Sequence, residues 1–132
     1  MERAYIAIAF SQYRTMQAEL EAIRAVLEAV QIEPFVFVEH YHFALDEASE
    51  MMQTAKKHLD ESDILIAELS HKAIGVGVEV GYMAAQGKPI VYLRRTGSDY
   101  SSTVGGLATY EIVYRDIEDL KGQLRIVLGN LE

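Results

Sequence analysis

Two apolar runs, Ile64-Leu65-Ile66-Ala67-Glu68-Leu69 and Pro89-Ile90-Val91-Tyr92-Leu93, flank the glycine-punctuated stretch Gly75-Val76-Gly77-Val78-Glu79-Val80-Gly81-Tyr82, and Gly87 precedes the second run. Runs that are apolar at nearly every position, not at alternate ones, belong to strands covered on both faces. A buried strand, a glycine-rich loop, a helix and a second buried strand form a parallel crossover unit, which winds right-handed. In open α/β sheets the loops at the carboxyl ends of the strands make the ligand crevice. Glycine lets backbone approach a ligand closely. The lone carboxylate just past that loop, Glu79, can serve as a nucleophile. Its alternative reading is a solvated first-turn glutamate, favoured there by the helix dipole.

The rest of the chain repeats the pattern. Ala4 to Phe10 reads as a buried strand. Met16, Leu20, Ile23, Val26, Leu27 and Val30 recur at helical spacing over 15–31. Pro34 punctuates, and Phe35 to Val38 is a second strand. Ala48, Met51, Met52, Ala55 and Leu59 mark one face of a second helix. Asp63 to Leu69 is the third strand, the third helix ends near Gly87, and Pro89 to Leu93 is the fourth strand. A polar loop from Arg94 to Gly106 shows no clear helix before the short strand Tyr110–Tyr114. Asp116 can cap a last helix whose apolar face is Ile117, Leu120, Leu124, Val127 and Leu128. The expected fold is a single α/β domain over 1–132. It is a doubly wound parallel five-stranded sheet, flavodoxin- or Rossmann-like, in strand order 2-1-3-4-5, with the site where the winding reverses.

Composition narrows the function. The chain has 132 residues, half of them apolar, enough for one domain with its own core. The formal net charge of −8 argues against binding a nucleic acid polymer, which needs a basic footprint. It leaves room for a small nucleotide, since a few backbone N–H groups and one arginine can hold a phosphate. No apolar run is long enough to span a bilayer, and there is no signal-peptide pattern, so the expected location is cytoplasmic. With no cysteine, disulfides and thiolate chemistry are excluded. His40, His42, His58 and His71 lack the spacing of a metal site, so no metal is expected.

Ser62 to Leu93 resembles the nucleoside 2-deoxyribosyltransferase family, including its 2'-deoxynucleoside 5'-phosphate N-hydrolase branch. The matching parts are Ser62-Asp63, Ala67-Glu68, the stretch 75–82 and Gln86-Gly87-Lys88-Pro89-Ile90, about a quarter of the chain. The resemblance implies cleavage of an N-glycosidic bond in a nucleoside or nucleoside 5'-monophosphate, with no cofactor. Glu79 would attack C1', and water or another base would resolve the glycosyl-enzyme, as in retaining glycosidases. It also implies substrate contacts from Ser11 and Arg14 after the first strand and from Gly75 and Gly77. Ser101 or Ser102 would reach the site of a neighbouring subunit, so a homodimer or higher oligomer is expected. Glu39-His40 echoes a pair found in the hydrolase branch.

Three positions depart from the family pattern. Its helix-2 aspartate, eight residues before the aspartate that opens strand 3, is Ala55 here, with Lys56, Lys57, His58 and Asp60 nearby. Its strand-1 tyrosine is Ala7, flanked by Tyr5 and Tyr13. Its serine or aspartate two residues before the first loop glycine is Ala73. The alternatives are therefore a nucleotide-binding module of the same fold with weakened chemistry, and a nucleotide-sensing or NAD-cleaving domain. Asp63 reads as structural, and Glu68 as a lesser candidate for touching ligand.

Overall fold

A computed structural model describes residues 1–131. Five strands, β1 (Arg3–Ile8), β2 (Glu33–Val36), β3 (Ile64–Glu68), β4 (Ile90–Arg95) and β5 (Tyr110–Tyr114), form one sheet in order β2-β1-β3-β4-β5. All four pairings are parallel. Five helices connect or flank them: α1 (Gln17–Ala29), α2 (Ala48–Asp60), α3 (Ile74–Ala85), α4 (Ser102–Leu107) and α5 (Ile117–Leu131). The sheet is doubly wound as the alternation of elements requires, and its order is the one expected from the sequence.

Strand pleating divides the core in two. Ala4, Ile6, Ile8, Ile64, Ile66, Val91 and Leu93 pack with α1 and α5. Tyr5, Ala7, Leu65, Ala67, Ile90 and Tyr92 face the other way, toward α2, α3 and α4. Successive side chains of a strand point to opposite faces, so Tyr5 and Ala7 share the α2/α3 face. At the amino end of β3, the Asp63 carboxylate accepts from the backbone N–H groups of Glu2 (2.7 Å) and Arg3 (3.0 Å), the structural role expected for it.

The boundaries differ from expectation where the chain leaves regular structure near the crevice. β1 stops at Ile8, and two single helical turns, 10–12 and 14–16, precede α1. Phe10 is therefore outside the strand and 75% exposed. Gln31, in the left-handed region at φ 62°, turns the chain after α1 and leaves Val30 on the surface. β2 begins at Glu33 and includes Pro34. Proline is tolerated there because β2 is an edge strand. Phe37 to Glu39 bends away in a helical turn. The β4–β5 connection holds a six-residue helix, α4, capped by Ser101. Asp116 caps α5, its side chain accepting from the Asp119 N–H at 2.8 Å. No helix among the described residues is long and apolar enough to cross a membrane.

Candidate active site

Above the carboxyl ends of β1 and β2 lies a cavity of about 660 Å³, within the size range of small-molecule sites. β1 contributes Tyr5, Ala7 and Ile8, the bend after β2 contributes Phe37, Tyr41 and Phe43, α2 contributes Met51, Met52 and Ala55, and the start of α3 contributes Gly75, Val76 and Glu79. Its walls are mostly hydrocarbon and aromatic ring. Met51 and Met52, which helical spacing assigns to a core face, line this cavity instead; Met16 is in the core as expected.

Glu79 is part-buried, one turn into α3. The sequence suggests a loop through Gly75 and Gly77, but the helix already starts at Ile74 and both glycines lie in its first turn. Neither has a left-handed φ, and an added Cβ at either place would meet nothing within 4 Å beyond its chain neighbours and its own helix backbone. Only Gly75 lines the cavity, where a side chain would occupy ligand space. Three glycines in one helix cost roughly 1 kcal/mol each against alanine. Burial of Val76, Val80 and Met83 against the sheet opposes that cost. Gly87 does require its glycine: φ is +72° where α3 ends.

The hydroxyl of Tyr5, a side chain with no exposure at all, donates a short hydrogen bond to a Glu79 carboxylate oxygen. Burial raises the Glu79 pKa from its usual carboxylate range to about 7, and the Tyr5 hydrogen bond opposes part of that rise. Tyr5 is held far above its ordinary range, first by burial and then by the Glu79 charge, so it stays protonated and donates. This partner is absent from a position-by-position reading, which places the family tyrosine at Ala7. Strand periodicity is the signal that finds it: Tyr5 lies one pleat back on the same face.

Other candidates fall in different places. Ala55 is buried and lines the cavity, so α2 does aim position 55 at the site. None of the polar residues near it in sequence, Lys56, Lys57, His58 and Asp60, lines the cavity. Asp60 accepts from the Tyr82 hydroxyl (2.7 Å) and Gln86 Nε2 (2.8 Å). His58 stacks on Phe35 at 4.2 Å, and its Nε2 meets the Tyr41 hydroxyl at 2.6 Å. Ala73 sits at the N-cap of α3 and provides no side-chain cap. Ser11 and Arg14 are exposed on the turns after β1 and do not line the cavity. Ser101 caps α4, its Oγ 3.3 Å from the Val104 N–H, and its own N–H donates to the Tyr92 hydroxyl (2.9 Å). Ser102 is exposed at the start of α4. Glu39 accepts from Tyr13 (2.6 Å) and pairs with Arg24, tying the bend after β2 to α1.

Glu68 lies on the opposite face of the sheet and does not line the cavity. It is 2% exposed and accepts from the Tyr114 hydroxyl (2.5 Å), the Ser70 N–H (2.8 Å) and the Ser70 hydroxyl (2.7 Å). Ser70 Oγ in turn accepts from the Arg95 N–H at 2.8 Å, and the Arg95 guanidinium pairs with buried Glu19. The network fastens the exit of β3 to β4, β5 and α1.

A reversing parallel sheet with one partly desolvated carboxylate over its switch point is the crevice of a doubly wound small-molecule protein. Within that class the chain belongs to the nucleoside 2-deoxyribosyltransferase family, whose model matches residues 4–122. A protein of Thermofilum pendens described as a candidate 2'-deoxynucleoside 5'-phosphate N-hydrolase 1 is 34% identical over 67 residues. That match spans 46% of each chain, under half of the relative's length. Two solved structures share the fold. The CMP N-glycosidase of Clostridium botulinum has a TM-score of 0.70 and 20% identity, covering 95% of this chain and 99% of its own. The 2-deoxyribosyltransferase of Bacillus psychrosaccharolyticus has a TM-score of 0.69 and 17% identity over 90% of both chains.

Proposed function

We propose that this protein cleaves the N-glycosidic bond of a nucleoside or nucleoside 5'-monophosphate, with Glu79 as nucleophile. The observation that carries the reading is the Tyr5–Glu79 pair: a carboxylate held at the end of an apolar cavity by one fixed donor. Tyr5 occupies one oxygen and leaves the other free to meet C1'. As the C1'–N bond breaks, its electron pair leaves with the base and Glu79 forms an ester to the sugar. Water, or a second base, then attacks C1' and frees the carboxylate. A partly desolvated carboxylate stabilises the oxocarbenium-like transition state strongly, because little water screens it.

Membership in the family and the names of the relatives support this chemistry. The turns carrying Ser11 and Arg14 follow lining residue Phe10, where a 5'-phosphate leaving the cavity mouth would meet them. Ser101 or Ser102 of a second copy would complete the site in a homodimer. A second reading, a nucleotide-binding module without turnover, draws on Ala55: the α2 wall of the cavity offers no carboxylate.

Incubation with a panel of nucleosides and nucleoside monophosphates, with free base measured by chromatography, separates the two. Base release that Glu79→Gln abolishes supports the enzyme. Micromolar binding with no base released from any panel member favours the module.

A further inference from the structure

The cavity has an unequal distribution of chemistry. Phe37, Tyr41 and Phe43 form a continuous aromatic wall, with ring centroids 5.1 Å apart for Phe37–Tyr41, 6.2 Å for Phe37–Phe43 and 5.9 Å for Tyr41–Phe43. Among the described residues Glu79 is the single carboxylate of the lining, and neither lysine nor arginine contributes to it. Aromatic faces and a carboxylate around a weakly hydrated space attract a flat cation. The chain's net charge of −8 has the same sign.

Proton supply points the same way. A neutral base leaving from C1' carries off an electron pair and must gain a proton, which enzymes supply from a placed acid. Across the cavity, α2 presents Met51, Met52 and Ala55, none of which has a proton to give. The Tyr5 hydroxyl is committed to Glu79, and that of Tyr41 meets His58. Exposed His42 is the remaining titratable side chain of the lining among the described residues. A base that already carries a fixed positive charge needs no acid. The electron pair of the breaking bond neutralises its ring nitrogen, and the base departs uncharged.

We infer that the cavity takes N-glycosides whose base bears a fixed positive charge, of the pyridinium or N7-alkylated purine type. This rests on the N-glycosidase reading above and specifies its substrate class. The balance is complete with water alone: the cationic N-glycoside and water give the free sugar, the neutral base and one proton. Glu79 forms its ester as the C1'–N bond breaks, and is released when water adds to C1'.

Two measurements test it. In titration calorimetry the 1-methylnicotinamide cation should bind at least tenfold more tightly than its neutral isostere, 3-methylbenzamide. Glu79→Gln should shrink that ratio several-fold, and Phe43→Leu should reduce it as well. Equal or weaker binding of the cation overturns the inference. In a base-release assay corrected for spontaneous loss, 7-methylguanosine should have a kcat/KM at least tenfold above that of guanosine. Equal or faster cleavage of guanosine, dependent on His42, means the chain protonates its own leaving group, and again overturns the inference while the N-glycosidase reading stands. Cation preference with no base released from either nucleoside or from any member of the nucleoside and nucleotide panel overturns the N-glycosidase reading and upholds cation recognition.

Discussion

Replacing Tyr5 by phenylalanine tests the pair at the centre of the site. Phenylalanine fits the same buried space and removes one atom, the oxygen that donates to Glu79. Two opposed effects set the Glu79 pKa near 7: burial raises it, and the Tyr5 hydrogen bond lowers it. A hydrogen bond to a charged group contributes roughly 1.5–3 kcal/mol, or about 1–2 pKa units. Without it, Glu79 should titrate near pH 8–9 by that conversion. At pH 7 the ionised fraction would then fall from about one half to between ~1% and ~10%, a loss of roughly 5–50-fold in ionised Glu79. The direct assay is a ¹³C NMR titration of the glutamate side-chain carboxyls, using Glu79→Gln to assign the signal. With any cleaved substrate, the acidic limb of kcat/KM, which reports the free enzyme, should move up by the same amount, and activity should recover at high pH. A Glu79 resonance that titrates at or below its original pH in the Tyr5→Phe variant would refute this account of the site. So would a uniform loss of rate at every pH, because it would assign Tyr5 to shape and not to charge.

Glu79 should also make stability depend on pH. Its pKa is about 7 folded and near 4.5 unfolded, so its contribution is most favourable below pH 4.5 and is lost as pH rises through 7. The loss amounts to up to roughly 3 kcal/mol. Glu79→Gln should therefore match the parent Tm near pH 4.5 and exceed it at pH 8; equal Tm values at both would show that the carboxylate is not desolvated. Ala55→Asp puts a carboxylate into the α2 wall. In a folded variant it should raise hydrolysis of a neutral deoxynucleotide by ~10²-fold or more if a placed acid is what the chain lacks, and no gain would locate the deficiency elsewhere. Ser101→Ala should cost roughly 0.5–2 kcal/mol through the lost α4 cap, whereas Ser102→Ala should change denaturation midpoints very little. Light scattering should find at least a dimer, and a monomer at assay concentrations would remove any role of either serine in a shared site.

The scaffold is legible in the sequence because it depends on patterns that one chain displays. β1 and β3, and β4 as far as Leu93, are apolar at nearly every position, the pattern of strands inside a covered parallel sheet. The glycines after β3 point to the correct helix, although its first turn is one residue ahead of Gly75. Glu79 stands out as a lone carboxylate in an apolar stretch. Tyr5 does not: within Ala4–Phe10 it reads as one more strand residue, and only pleat direction joins it to Glu79. The aromatic wall is harder still. Phe35 to Val38 is apolar throughout and reads as a buried strand, but β2 ends at Val36 and the chain bends, turning Phe37 from a sheet position into a cavity position. Local periodicity carries no information about that bend, which Glu39 fixes through contacts with Tyr13 and Arg24 from the other side of the sheet.

The polar network around Glu68 bears on how such a site can diversify. Tyr114, Ser70, Arg95 and Glu19 fasten the end of β3 from which α3 departs, so the platform under Glu79 is anchored independently of anything the cavity holds. The opposing segment, 37–47, adds no strand to the sheet, and Tyr41 and Leu45 stand exposed on it. Beyond Phe37, Val38 and Glu39, residues there can be exchanged with little effect on the core, while changes at Glu68 or Tyr114 would leave a partner buried and unpaired. The architecture separates inheritance from adaptation. A lineage can retain Glu79 on its fixed platform and acquire new ligands by rewriting the eleven residues across the cleft.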